Sequence, residues 1–260
     1  MTIQERTQPL LSVRRLSRHY GGVQALTDLD LDLMHDEHAA VVGDNGAGKS
    51  TFVRMISGAE RPDEGTIHFD SEECHFKSPL EARAVGIETV YQDLSLADDL
   101  DVVDNLFLGR ELFHFKLAGL SILNRRAMRR RSQELLDEVG VRIPSLRGKI
   151  RGMSGGQRQG VAIARAAGWG SKLIILDEPT AALGVRETAG VETIVRGLKK
   201  SGTAVVMVSH NLRQVFDLMD TVYVFRRGRM VGKREIASTT PQEIVALITG
   251  VDDSLTTAAL

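Results

Sequence analysis

Two glycine-containing stretches carry residue types suited to holding phosphate: "GDNGAGKST" at residues 43–51 and "MSGGQRQG" at residues 153–160. The first fits the pattern G-x-x-x-x-G-K-[ST] between an apolar run and a helical pattern, the context the motif needs. Gly43, Gly46 and Gly48 let the backbone of Asp44, Asn45 and Ala47 wrap close to phosphate oxygens. Lys49 would reach the terminal phosphates, and Ser50, followed by Thr51, would offer its hydroxyl to Mg²⁺. A glycine turn with a chance lysine is the plain alternative, and it leaves the strand-loop-helix context unexplained. In the second stretch Ser154, Gly155, Gly156 and Gln157 precede "VAIARA", which reads as a helix. Exposed N–H groups at a helix start suit an anion, so the question is whose phosphate a second reader would serve.

Other candidates lie at strand ends. "LIILDEPT" is an apolar strand ending in two carboxylates. Asp177 would hold Mg²⁺ through water, and Glu178 would orient or deprotonate an attacking water. Both can reach a site at the carboxyl edge of the sheet, where α/β folds bind ligands. Alone, the pair would read as a surface turn. His210 ends "VVMVSH" at the same edge, placed to hydrogen-bond a phosphate; a lone His there is otherwise a structural hydrogen-bonder. Gln92 ends "ETVYQ" and gains interest only from its company. Tyr20, in "SRHYGGVQAL", could stack on a base, although an edge aromatic is its simpler reading.

The elements that must position these groups follow from pattern. "DLDLDL" at 28–33 alternates, as a half-buried strand of an antiparallel sheet does. A strand at 66–70 follows the "RPDEG" turn. Residues from about 94 to 152 turn rich in Leu, Arg, Asp and Glu at helical spacing and read as an inserted helical lobe. Beyond it alternate a helix at 157–168, a strand at 172–179, a helix at 186–199, a strand at 203–210 and a helix at 211–219. "TVYVFRRGRMVG" reads as the closing strand. Apolar strands alternating with helices imply a parallel sheet covered on both faces. The fold class is therefore α/β: a phosphate-loop core with an antiparallel β-subdomain and an inserted helical subdomain. One domain spans 8–250, and 251–260 reads as a short frayed tail.

Composition narrows the classes. The chain has 260 residues, 42% hydrophobic and 26% charged, which is enough for a core without staples. A net charge of −1 argues against nucleic acid as a main partner. The single cysteine, Cys74, precludes an internal disulfide and fits a reducing compartment. No apolar run is long enough to span a membrane, and "MTIQERTQPL" lacks the core of a signal peptide. The basic run "NRRAMRRR" at 124–131 reads as a solvated helix face, or as a contact for anionic lipid.

In order along the chain, Tyr20, the 43–51 loop, Gln92, "MSGGQ", "LIILDE" and His210 resemble the nucleotide-binding subunit of ABC transporters, from Tyr20 to about Gly232. "SGGQ" is the most diagnostic part. The stretches 78–96, 177–188 and 209–232 resemble the ATPases of ribose-, xylose- and fructose-type sugar importers, in single-cassette form. The resemblance implies ATP with Mg²⁺ as ligands, Ser50, Gln92 and Asp177 as metal contacts, and Lys49, Gln92, Glu178 and His210 as catalytic groups. It also implies a homodimer in which each ATP lies between one chain's Lys49 loop and the other's Ser154–Gln157. Partners would be an integral membrane permease and, indirectly, an extracytoplasmic sugar-binding protein. The chain would then sit peripherally on the cytoplasmic face of the inner membrane. An exporter or branched-chain amino-acid importer subunit is the nearest alternative; a ribosome- or DNA-associated ABC ATPase is more distant. Two positions depart from the commoner ABC pattern. Gly184 stands where many members carry Asp, as it does in the sugar group. Gly160 replaces a bulkier residue and is expected to loosen its helix by about 1 kcal/mol relative to Ala.

Overall fold

The computed structural model describes residues 8–117 and 120–251. Strands β1 (Leu11–Tyr20) and β2 (Val23–Leu33) form a hairpin, since Tyr20 pairs with Val23 across Gly21–Gly22. The alternation expected at 28–33 is present: Leu29, Leu31 and Leu33 are buried while Asp28 and Asp30 face solvent. Strand β3 (His38–Val42) leads into the 43–48 loop and helix α1 (Lys49–Ile56). Strands β4 (Glu64–Phe69) and β5 (Glu72–Cys74) join the first hairpin in an antiparallel sheet of order β2-β1-β4-β5.

Next come helix α2 (Pro79–Val85), strand β6 (Ile87–Val90) and helix α3 (Val102–Phe107). Strands β7 (Phe113–Leu117) and β8 (Leu120–Leu123) then precede helices α4 (Arg125–Glu138) and α5 (Gly155–Ala167). The chain continues through β9 (Leu173–Asp177), α6 (Val185–Lys200), β10 (Ala204–Val208) and α7 (Leu212–Leu218). It ends in β11 (Thr221–Arg226), β12 (Arg229–Glu235) and α8 (Pro241–Thr249). The central sheet has order β12-β11-β3-β10-β9-β6 and is parallel except for β12.

The central strands are apolar on both sides because the sheet divides two cores. Ala40, Val42, Ile174, Leu176, Val205 and Met207 pack with α3 to α8. Their alternate neighbours Ala39, Val41, Leu173, Ile175, Ala204 and Val206 pack with α1 and the antiparallel sheet. A period of two in a strand thus sorts consecutive residues into different cores.

Three expectations change. The inserted segment is not purely helical, since the β7–β8 hairpin stands between α3 and α4. The closing strand is a hairpin, turned at Arg227–Gly228 with both residues at positive φ. The segment leading to Gln92 leaves the sheet after Val90, so Gln92 lies in a turn closed by Leu94 N–H donating to the Tyr91 carbonyl at 2.9 Å. The basic run lies on the first turns of α4, which buries Met128, Ser132, Leu135 and Leu136 and leaves Arg125, Arg126, Arg129 and Arg130 exposed. Gly160 also gains a reason: a methyl group there would lie 2.9 Å from Val141 Cγ1, so α5 needs a hydrogen at that contact. No helix among the described residues is long and apolar enough to cross a membrane. The tail beyond Val251 lies outside the described residues.

Candidate functional site

The 43–48 loop is shaped by contacts that only glycine admits. Gly43 has φ +153°, and a side chain there would collide with the Phe225 carbonyl. Gly48 has φ +101° and packs against Ala25 and Leu26. The β11–β12 turn supports the loop, since Gly228 N–H donates to the Ala47 carbonyl at 3.2 Å. Below it, the Phe52 ring of α1 packs edge-on against Phe225 at 5.6 Å.

Helix α1 begins at Lys49 with no side-chain cap and no acid in its first turn. Its leading amides therefore stay available to an anion. Lys49 Nζ folds back on the loop, donating to the carbonyls of Gly43 (2.7 Å) and Asp44 (2.9 Å). Burial lowers the pKa of this ammonium, and the charges of Glu178, Asp44 and Asp177 act the other way. Asp44, Asn45 and Gly46 are exposed at the loop tip, while Ala47 and Thr51 are buried supports.

Ser50, Gln92 and Asp177 come from three separate elements and line one cleft of about 490 Å³ with Val53, Arg54, Tyr91 and Asp93. Burial, and then the neighbouring Glu178 charge, raise the Asp177 pKa, opposed by Lys49 and Arg54. A half-buried carboxylate destabilised in this way, beside a hydroxyl and an amide oxygen, is a donor set suited to a hard cation. Glu178 follows β9 in a left-handed conformation at φ +50°, sparsely used by a non-glycine residue. Its N–H is held by the Val208 carbonyl at 3.0 Å. Its carboxylate lies 2.8 Å from His210 Nδ1. The strained turn thus aims Glu178 across the end of the parallel sheet rather than along it.

Tyr20 ends β1 with its hydroxyl bonded to Glu60 and the Arg18 guanidinium 5.1 Å from its ring centroid. One ring face is thereby occupied. Glu60 also accepts from Arg54 Nη1 at 3.3 Å, which links Tyr20 to the arginine that lines the cleft.

The Ser154–Gln157 stretch lies elsewhere. Ser154 caps α5: its Oγ accepts from Gln157 N–H at 3.4 Å, and Gln157 Oε1 accepts from Ser154 N–H at 3.0 Å. Ser154, Gly156 and Gln157 line a separate recess with Arg142, Arg186 and Glu187. None of the cleft residues around Ser50 and Asp177 lines it. Within one chain, the two glycine-rich helix starts do not meet.

Several neighbours escaped the sequence reading. Arg54 stands four residues after Ser50 on α1, and helical spacing could have placed it beside the cleft. Asp93 follows Gln92 directly. Glu187 stands three residues after Gly184, the spacing of a helix-start acid. Its carboxylate is held below the usual range by hydrogen bonds from the Ser154 side chain and the Gly156 and Gly184 backbones. Arg158 pairs with Asp98, and Arg165 donates to the carbonyls of Leu94 (2.9 Å) and Ser95 (2.8 Å). These bonds tie α5 to the segment just after Gln92, and no local pattern announces them.

The profile of the family described as ABC transporter matches residues 26–181. The chain is 43% identical over 249 residues to the fructose import ATP-binding protein of Rhizobium meliloti, covering 95% of this chain and 96% of that one. It is 41% identical over 240 residues to the xylose/arabinose import ATP-binding protein of Sulfolobus acidocaldarius, covering 92% and 94%. A ribose import ATP-binding protein of Rubrobacter xylanophilus is 40% identical over 94% of this chain but only 47% of its own length. The fold matches a nucleotide-free ATP-binding cassette of an ABC transporter at TM-score 0.78 and 24% identity, covering 93% and 96% of the two chains. Family profile, end-to-end relatives and the cassette fold agree: this chain belongs to the ABC transporter ATP-binding proteins.

Proposed function

We propose that the chain is the ATP-hydrolysing subunit of a monosaccharide importer. It works as a homodimer beneath an integral membrane permease supplied by an extracytoplasmic sugar-binding protein, and sits peripherally at the cytoplasmic face of the inner membrane. The observation that carries this reading is the separation of the two helix starts into disjoint recesses of one chain. Each is half of a phosphate clamp, and a second copy supplies the other half. The relatives that align end to end are named for fructose and for xylose/arabinose import, which favours a sugar over the other solutes.

In this reading the α1 amides and Lys49 hold the terminal phosphates of ATP. Ser50, Asp177 and Gln92 would hold the Mg²⁺ that accompanies it, which would supply positive charge beside the transferred phosphoryl group. Tyr20 offers the adenine the ring face that Arg18 leaves open. Glu178 accepts the proton of the attacking water. His210, now 2.8 Å from that carboxylate, orients it and hydrogen-bonds the γ-phosphate. Ser154 to Gln157 of the second copy close over the same phosphate, so hydrolysis removes the anion that holds the two chains together. Gln92 reports occupancy through the Leu94–Asp98 segment, which Arg165 and Arg158 bind to α5.

The test pairs complementary defects. Lys49→Ala and Ser154→Arg should each abolish ATP trapping in their own homodimers. A mixed dimer of the two variants restores one intact site and should trap about one ATP. Trapping no greater than in either homodimer, with both chains folded and paired, would refute the shared site. ATP-dependent uptake of labelled fructose, ribose or xylose by the reconstituted permease complex tests the cargo, and uptake of none of them would remove the sugar assignment.

A further inference from the structure

The start of α5 is not open in the single chain. Glu187, on the first turn of α6, accepts from Gly156 N–H through Oε1 at 3.3 Å and from Gly184 N–H through Oε2 at 3.3 Å. Ser154 also favours the charged form of the same carboxylate. Packing enforces the meeting: a methyl group on Gly156 would lie 2.9 Å from Glu187 Cβ, and one on Gly155 2.7 Å from Leu183 Cδ2. One carboxylate therefore serves two helix starts. One of those starts is the "SGGQ" segment that the proposed function assigns to the second copy's ATP.

A carboxylate and a γ-phosphate are both anionic oxygens seeking the same N–H group. They cannot share Gly156 closely without like-charge repulsion. We propose that Glu187 is a built-in competitor for the second copy's γ-phosphate. Its carboxylate holds the α5 amide in the free chain and swings off when the ATP sandwich closes. Arg142 and Arg186 line the same recess and receive the displaced charge. This rests on the shared-site reading above. The consequence is a threshold. If the carboxylate covers the helix start in about nine of ten free chains, closure needs about tenfold more ATP than an uncovered start would. Glu187 thus keeps two copies apart until both phosphate loops are loaded.

The experiment measures the ATP concentration for half-maximal dimer formation, by sedimentation of the full chain carrying Glu178→Gln to slow hydrolysis. Glu187→Gln keeps the side-chain size and one acceptor but removes the charge. It should dimerise at about five- to tenfold lower ATP, with the melting temperature of the nucleotide-free chain unchanged. The gap from the parent should narrow at high salt, which a purely structural tie would not show. An unchanged or raised ATP requirement in Glu187→Gln would overturn the proposal. So would a lowered requirement accompanied by a lowered melting temperature and no salt dependence, since Glu187 would then be only a strut between α5 and α6. Ser154→Arg in the same background separates the two ideas. If it blocks dimerisation while Glu187→Gln changes nothing, only the competitor role falls. If it dimerises normally, the shared-site reading falls and takes the proposal with it.

Discussion

The two helix starts are built to opposite designs. Helix α1 has glycines before it, a lysine in its first turn, no acid and no side-chain cap. Helix α5 has a complete capping box and an acid from α6 on one of its amides. The first start is left unsatisfied by its own chain, and the local fold accepts that cost through Gly43, Gly48 and the β11–β12 turn. The second is satisfied within its own chain and, in the proposed sandwich, would exchange one partner for another. A preformed site binds without rearranging the protein. A self-capped start would open only to a better anion, which suits the proposed step after nucleotide loading.

The largest effect belongs to the first site. Glu178→Gln keeps its shape and removes the proposed base, so turnover should fall by about 10²–10⁴-fold while ATP still binds. Single-turnover hydrolysis against equilibrium ATP binding measures this, and normal hydrolysis would mean that another group takes the proton.

Matched glycine substitutions put the comparison itself at risk. Gly43→Ala must place a side chain at φ +153° against a backbone carbonyl, which should destabilise the fold by about 1–3 kcal/mol from conformation alone. Gly156→Ala would place its methyl group 2.9 Å from Glu187 Cβ and 3.3 Å from Glu187 Cα, so α5 and α6 must part slightly, but no residue is forced into a left-handed conformation. That variant should lose about 1 kcal/mol from overpacking, less than Gly43→Ala, while its ATP trapping drops. Urea denaturation of both variants decides it. Equal losses of stability would mean the second start is as rigidly preformed as the first.

Within α5, Gly160→Ala trades better helix propensity for a clash with Val141, with a net loss of about 1 kcal/mol. Adding Val141→Ala should relieve the clash, and no relief would show that the glycine is not there for packing.

The smallest effect concerns charge at the first site. Burial and Glu178 raise the Asp177 pKa, so the folded chain holds that proton more tightly than the unfolded one. This contribution to stability is present below the ordinary carboxylate range and is lost as pH rises through the folded value. At neutral pH the nucleotide-free chain therefore carries a destabilised carboxylate. Asp177→Asn should raise its melting temperature there, and the advantage should fade as the pH is lowered. An advantage that is flat with pH would remove the electrostatic explanation.

The helical insertion shows why legibility varied along the chain. Its helices were readable because α4 repeats its buried residues at helical spacing. The β7–β8 hairpin was missed because its strands are four or five residues long, and a short apolar run has no decisive period. The closing hairpin hid behind Arg227–Gly228, where a short turn between apolar segments reads as a continuous strand. Strand β6 ends two residues before the sequence pattern does, because Tyr91 continues an apolar pattern whose ladder has already stopped.

The sequence by itself determined the chemistry that is contiguous: the 43–51 loop, the Asp177–Glu178 pair, the Ser154–Gln157 cap and the α/β alternation. Each depends on residue type and spacing within a few positions, where backbone geometry is local. Only the tertiary structure decided which distant groups share a recess. It brought Ser50, Gln92 and Asp177 around one cleft and left Ser154 outside it. It turned Glu178 toward His210, fitted Gly160 against Val141 and laid Glu187 across the start of α5. Those contacts join residues that are close only after the strands have been ordered and the helices packed, and no local period or motif encodes such distances.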